Sequence, residues 1–111
     1  MKEYTQKLKE IRKEINNKNQ EIKELEKNSQ EIWERITKEI NNNKNTYKKQ
    51  NGLSGLKNAE LIISENNNPS HNSIIITFEN KPTAKGLSII EETIGLTFDK
   101  TITDNKYLFQ L

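Results

Sequence analysis

Apolar residues fall at Tyr4, Leu8, Ile11, Ile15, Ile22, Leu25, Ile32 and Ile36. Their alternating steps of three and four residues keep one stripe of an α-helix facing a neighbouring helix. With Leu8 at position a, the a series is Leu8, Ile15, Ile22, Ser29 and Ile36, and the d series is Tyr4, Ile11, Lys18, Leu25 and Ile32. Only Ser29 and Lys18 interrupt the seam. No Gly or Pro occurs between Tyr4 and Lys49, and the residue types that dominate there favour or tolerate helix. On the outer face Glu3–Lys7, Glu14–Lys18, Glu31–Arg35 and Glu34–Lys38 set an acid four residues before a base, the favourable order. The pattern predicts one long amphipathic helix over residues 1–50. Beyond Ile32 the phase shifts by one position, to Trp33, Ile36, Ile40 and Tyr47, as expected where a supercoil relaxes or where a helix begins to pack on something else.

A straight helix of that length extends ~70 Å at about 1.5 Å per residue. The rest of the chain is too small to cover it, so the stripe requires another helix. A hairpin folded back near Asn16-Asn17-Lys18-Asn19 is the alternative, and it would bury the stripe within one chain. The extended helix is preferred, because this cluster of weak helix formers lacks a Gly or Pro to set a tight turn.

After Gly52 and Gly55 the period changes, and residues 51–58 read as a linker. Glu60–Ser64 reads as a strand, followed by a polar loop with Pro69 and then a strand over Ser73–Glu79, with Ile74, Ile76 and Phe78 on one face. Thr83 is the expected N-cap of a helix from Ala84 to Ile94, with Leu87, Ile90 and Ile94 inward and Gly95 at its C-cap. Leu96–Ile102, with Leu96, Phe98 and Ile102 facing one way, and Tyr107–Leu111 complete a hairpin. The fold class expected is α+β: a long N-terminal coiled-coil helix and, over residues 59–111, a small ββαββ head with an antiparallel sheet.

Composition narrows the function classes. The chain has 111 residues, 31% hydrophobic and 31% charged, with no cysteine, so disulfides, thiolate metal sites and cysteine nucleophiles are excluded. The opening residues lack the apolar run of a signal peptide, and no stretch approaches the ~20 apolar residues of a membrane span. An intracellular protein, cytoplasmic or nuclear, is expected, with no membrane association. Lysine far outnumbers arginine, valine is absent and asparagine comes in runs (Asn41–Asn43, Asn66–Asn68). An AT-rich genome produces that bias, so the Asn and Lys content is discounted as functional signal.

Candidate chemistry is sparse. His71, the only histidine, lies in a polar loop-like stretch with no orienting carboxylate or nucleophile suggested nearby. Glu91 and Glu92 are adjacent on a helix and point in different directions, and Asp99 and Asp104 read as solvated acids. No spacing suits a metal and no glycine pattern suits a phosphate. No catalytic residue, metal or cofactor is expected. Lys44, Tyr47, Lys48, Lys49 and Lys57 cluster where the helix meets the head, a possible nucleic-acid contact with Tyr47 stacking on a base, though lysines also suit a helix C-terminus.

The seam itself is the main candidate for partner binding: Leu8, Ile11, Ile15, Ile22, Leu25, Ile32 and Ile36, extended by Trp33 and Ile40. In a parallel homodimer the flanking pairs would be Lys7 with Arg12, Glu14 with Asn19 and Glu21 with Glu26; two of the three repel and Lys18 faces itself. A heteromeric coiled-coil partner is therefore favoured, with an antiparallel homodimer possible. The run Ile89-Ile90-Glu91-Glu92-Thr93-Ile94-Gly95-Leu96-Thr97-Phe98-Asp99-Lys100, with Lys106-Tyr107-Leu108-Phe109, resembles kinetochore subunits that join a coiled-coil stalk to an RWD-type head. The resemblance covers about a fifth of the chain and implies a heteromeric scaffold, with no functional residue carried over. An assembly or adaptor subunit is the expectation; a nucleic-acid-associated protein, or a small inhibitor or effector that occludes a partner, is the alternative.

Overall fold

The computed structural model describes residues 2–17, 22–49, 53–64 and 71–111, with the side chains of 14–17 and 22–25 outside that description. The elements run α1 (Lys2–Asn17), α2 (Ile22–Asn42), α3 (Lys44–Lys48), β1 (Leu56–Ile62), β2 (Ser73–Phe78), α4 (Ala84–Ile94), β3 (Thr97–Thr103) and β4 (Lys106–Gln110). The fold is α+β with a four-stranded antiparallel sheet in the order β1-β2-β4-β3.

The single long helix is overturned. Its residues form two helices, α1 and α2, that lie against each other in opposite directions. The Tyr4 hydroxyl donates to Glu39 Oε1 at 3.3 Å, across 35 residues of sequence, and the Arg35 guanidinium lies 6.0 Å from the centre of the Tyr4 ring. The molecule is 46 Å in its longest dimension, well short of the ~70 Å an extended helix would span. Burial of Leu8 and Ile36 favours this choice: an extended stalk would leave each in water, at about 1.5–3 kcal/mol. Helix α1 is described as far as Asn17, and residues 18–21, which include the rest of the Asn cluster, lie outside the described residues. Asparagine side chains compete for backbone hydrogen bonds and weaken a helix without help from Gly or Pro.

All three longer helices serve one core. In the sheet, Ala59 pairs Ile76, which pairs Tyr107, and Leu61 pairs Ile74, which pairs Phe109 and then Phe98. These residues share one face, since side chains alternate across a strand. Helix α2 lies over β1, α4 packs beside β3, and α1 touches both α2 and α4. Leu8, Trp33, Ile36 and Ile40 join the sheet residues in one buried cluster. Tyr107 stands edge-on to Phe78, with ring centres 5.6 Å apart, in the geometry that aromatic quadrupoles favour.

Several boundaries follow local chemistry. Thr83 Oγ1 accepts from Gly86 N–H at 3.0 Å and caps α4. Gly95 closes that helix in the left-handed region, at φ 85°, with its N–H on Glu91 C=O. Strand β1 starts at Leu56, inside the stretch read as linker and four residues before the expected strand. Ile102 does not face inward with Leu96 and Phe98 but is exposed. Register shifts between Phe98 and Lys100 and between Thr101 and Thr103 break the two-residue alternation on which that reading depended. Gly52, Pro69 and the Asn66–Asn68 run lie outside the described residues.

The β1 edge of the sheet is closed by a side chain. Asn41, near the end of α2, accepts from Ala59 N–H at 2.8 Å and donates to Ala59 C=O at 3.0 Å, occupying the place of a fifth strand. Edge strands invite foreign pairing unless they are covered in some such way. Replacing Asn41 by alanine leaves both Ala59 groups without this partner, at a cost of about 1–3 kcal/mol. The expected result is a lower urea midpoint with an unchanged slope; an unaltered midpoint would show that water replaces the amide at no cost.

Candidate functional site

The residues assigned to partner binding divide into three sets. Leu8, Trp33 and Ile36 have no exposed surface, and Ile40 is 1% exposed. They are part of the chain's own core, so their assignment to a partner seam is corrected. The one-position phase shift along α2 has this cause: Ser29, Trp33, Ile36 and Ile40 form the face turned onto the sheet side. The side chains of Ile15, Ile22 and Leu25 lie outside the described residues. Ile11 and Ile32 are half-buried.

Those last two residues, with Tyr4, form the floor of a groove of about 530 Å³ between α1 and α2. Lys7 and Glu10 rise from α1, and Asn28, Glu31 and Arg35 from α2. Lys7, Glu10, Glu31 and Arg35 are all exposed. The two sides of each helix explain the arrangement: Thr5 and Leu8 of α1 are buried, while Tyr4 and Ile11 flank them on the groove side. A helix with apolar residues on two adjoining faces can serve an internal core and an external contact at once.

The junction lysines separate from their aromatic. Lys44, Lys49 and Lys57 are exposed and Lys48 is half-buried, but Tyr47 is only 7% exposed and belongs to the core cluster. Burial pushes the Tyr47 hydroxyl above its ordinary pKa, with the Glu39 carboxylate adding to the effect. A base cannot stack on a ring that is already covered, so the stacking role given to Tyr47 is corrected.

The acids considered for catalysis are dispersed. Glu91 Oε2 accepts from Phe98 N–H at 3.0 Å and ties α4 to the start of β3, while Glu92, Asp99, Asp104 and His71 are exposed. Among the described residues, no group of three or more His, Asp or Glu side chains is placed to hold a metal, and no helix is long and apolar enough to cross a membrane.

No protein-family model, curated protein or solved structure matches the chain. The likeness to kinetochore subunits thus rests on the residues between Ile89 and Phe109 alone.

Two residues that sequence reasoning missed are Asn41 and Asn72. Asn72, 1% exposed, accepts from Ser64 N–H and donates to Gln30 Oε1, both at 2.8 Å. It fastens the base of the β1–β2 connection to α2. The usable signal was position, since Asn72 stands immediately before the strongest strand in the sequence.

Proposed function

We propose that the protein is a non-enzymatic assembly subunit acting inside the cell, and that its contact face is the groove between α1 and α2. The observation that carries this reading is the groove floor. Tyr4, Ile11 and Ile32 keep part of their apolar surface in water although the chain has a core next to them. An amphipathic helix laid between two antiparallel helices would cover that floor, in the manner of helix-in-groove recognition. The earlier picture of an extended helix pairing along its whole seam is replaced by docking onto a preformed hairpin.

Quantitative capture from extract compares three baits: wild type, Ile32→Asp, and a variant with Lys44, Lys48, Lys49 and Lys57 changed to Gln. A protein retained by wild type and the Gln variant but lost with Ile32→Asp supports the groove. Nucleic acid lost from the Gln variant alone, with steep salt dependence, moves the function to the basic junction. Circular dichroism of the Ile32→Asp chain guards against misreading a folding defect.

A further inference from the structure

The charges around the groove identify what fits it. Tyr4 lies beside Arg35 and Glu39, which sets the relative position of the two antiparallel helices. Moving from that end toward the other, Lys7 and Arg35 come first, and Glu10 and Glu31 follow one turn later. Asn28 lies beyond them, one further turn along α2. The rim is therefore bipolar, cationic toward Tyr4 and anionic toward Asn28, with Ile11 and Ile32 between. All four charged side chains are exposed and are not consumed by the core.

We infer that the occupant of this groove is a second copy of the chain, its α1–α2 hairpin laid antiparallel across the first to make a four-helix bundle. The inference rests on the groove being the contact face. A two-fold axis perpendicular to both helices reverses the direction of the rim. With α1 over α1 and α2 over α2, Lys7 then meets Glu10 of the second copy and Arg35 meets Glu31 of the second copy. Every charge finds its opposite, and the apolar floors face each other. A two-fold axis running along the helices does the reverse, setting Lys7 against Arg35 and Glu10 against Glu31. One orientation is selected and the other opposed, which is how charged rims fix register. An isologous contact of this kind also closes at two copies.

The bland alternative is that Glu31–Arg35 and Lys7–Glu10 serve only as neighbours along their own helices, where such spacings add a few tenths of a kcal/mol. Charge-swapped variants separate the two; the altered residues are exposed, and circular dichroism checks that losing the Arg35 contact with Tyr4 leaves the fold intact. Lys7→Glu with Arg35→Glu makes an all-anionic rim; Glu10→Lys with Glu31→Lys makes an all-cationic one. Light scattering and sedimentation equilibrium should show wild type as a concentration-dependent dimer and each variant weakened by at least about tenfold. An equimolar mixture of the two variants should recover a one-to-one dimer, more weakly at high salt.

A wild-type chain that stays monomeric at millimolar concentration overturns the inference, as does a dimer indifferent to both swaps. If groove-dependent capture of a different protein persists in either case, the groove remains the contact face and only its occupant is wrong. If Ile32→Asp changes neither self-association nor capture while the chain stays folded, the groove reading fails with it.

Discussion

Replacing Trp33 by alanine will lower the stability of the isolated chain by about 3–5 kcal/mol, the range for deleting a buried aromatic side chain. Trp33 has no exposed surface, and its neighbours on the same face of α2, Ile36 and Ile40, are buried with it. Together they close the core from the helix side against β1 and the sheet. A domain of this kind has about 5–15 kcal/mol in total, so the variant should be partly unfolded at modest temperature. The measurement is urea unfolding followed by far-ultraviolet circular dichroism, because the substitution removes the only tryptophan. The loss should be the same at every protein concentration. Had Trp33 served a partner seam, the variant would match wild type when dilute and differ only when concentrated. Trp33→Phe is the useful control. The indole Nε1 is buried without a hydrogen-bond partner among the described residues, so phenylalanine removes an unpaired donor along with some volume, and its cost should be markedly smaller.

That contrast marks what the sequence disclosed. Helical periodicity marked an apolar seam, of which Leu8, Trp33, Ile36 and Ile40 are buried, but could not say what it faces. The same three-and-four spacing suits a foreign helix, a folded-back helix or a sheet. The deciding feature was the one-position shift at Trp33, which turns α2 onto the sheet. Helix α4 was legible to its caps, Thr83 and Gly95, because local chemistry alone fixes both ends. Strand β3 was less so: its bulges shift Ile102 to the surface, and a bulge depends on the partner strand rather than on alternation within its own residues. The asparagines show the limit of compositional reasoning. A genome-wide bias can supply Asn41 and Asn72 by chance, yet in place one closes a sheet edge and the other fastens a loop. The groove was half legible. Tyr4, Ile11 and Ile32 were all in the predicted seam, but their separation from Leu8 and Ile36 depends on how the hairpin sits on the sheet.

The contact between α1 and the end of α4 supports the second large effect. Gly95 has φ 85°, where a side chain costs about 1–2 kcal/mol. A Cβ built there would also run into Thr5 Oγ1. Forced overpacking adds typically 1–3 kcal/mol, so Gly95→Ala should destabilise by about 2–5 kcal/mol in all. The two contributions separate in a double-mutant cycle with Thr5→Ala. That change removes the hydroxyl that the new Cβ would run into, leaving the backbone strain untouched. Thr5→Ala alone should cost little, since the Thr5 hydroxyl donates within its own helix, to Lys2 C=O at 2.9 Å. The double variant should then recover about 1–3 kcal/mol of the Gly95→Ala loss, the coupling expected of residues in direct contact. Thr5 and Gly95 are far apart in sequence and meet only because the hairpin folds onto α4. On an extended stalk the two changes would be independent, and their effects would simply add. Unfolding midpoints of the four chains therefore test the docking of hairpin on head directly, with coupling as the signature of the folded-back arrangement and additivity as that of the stalk.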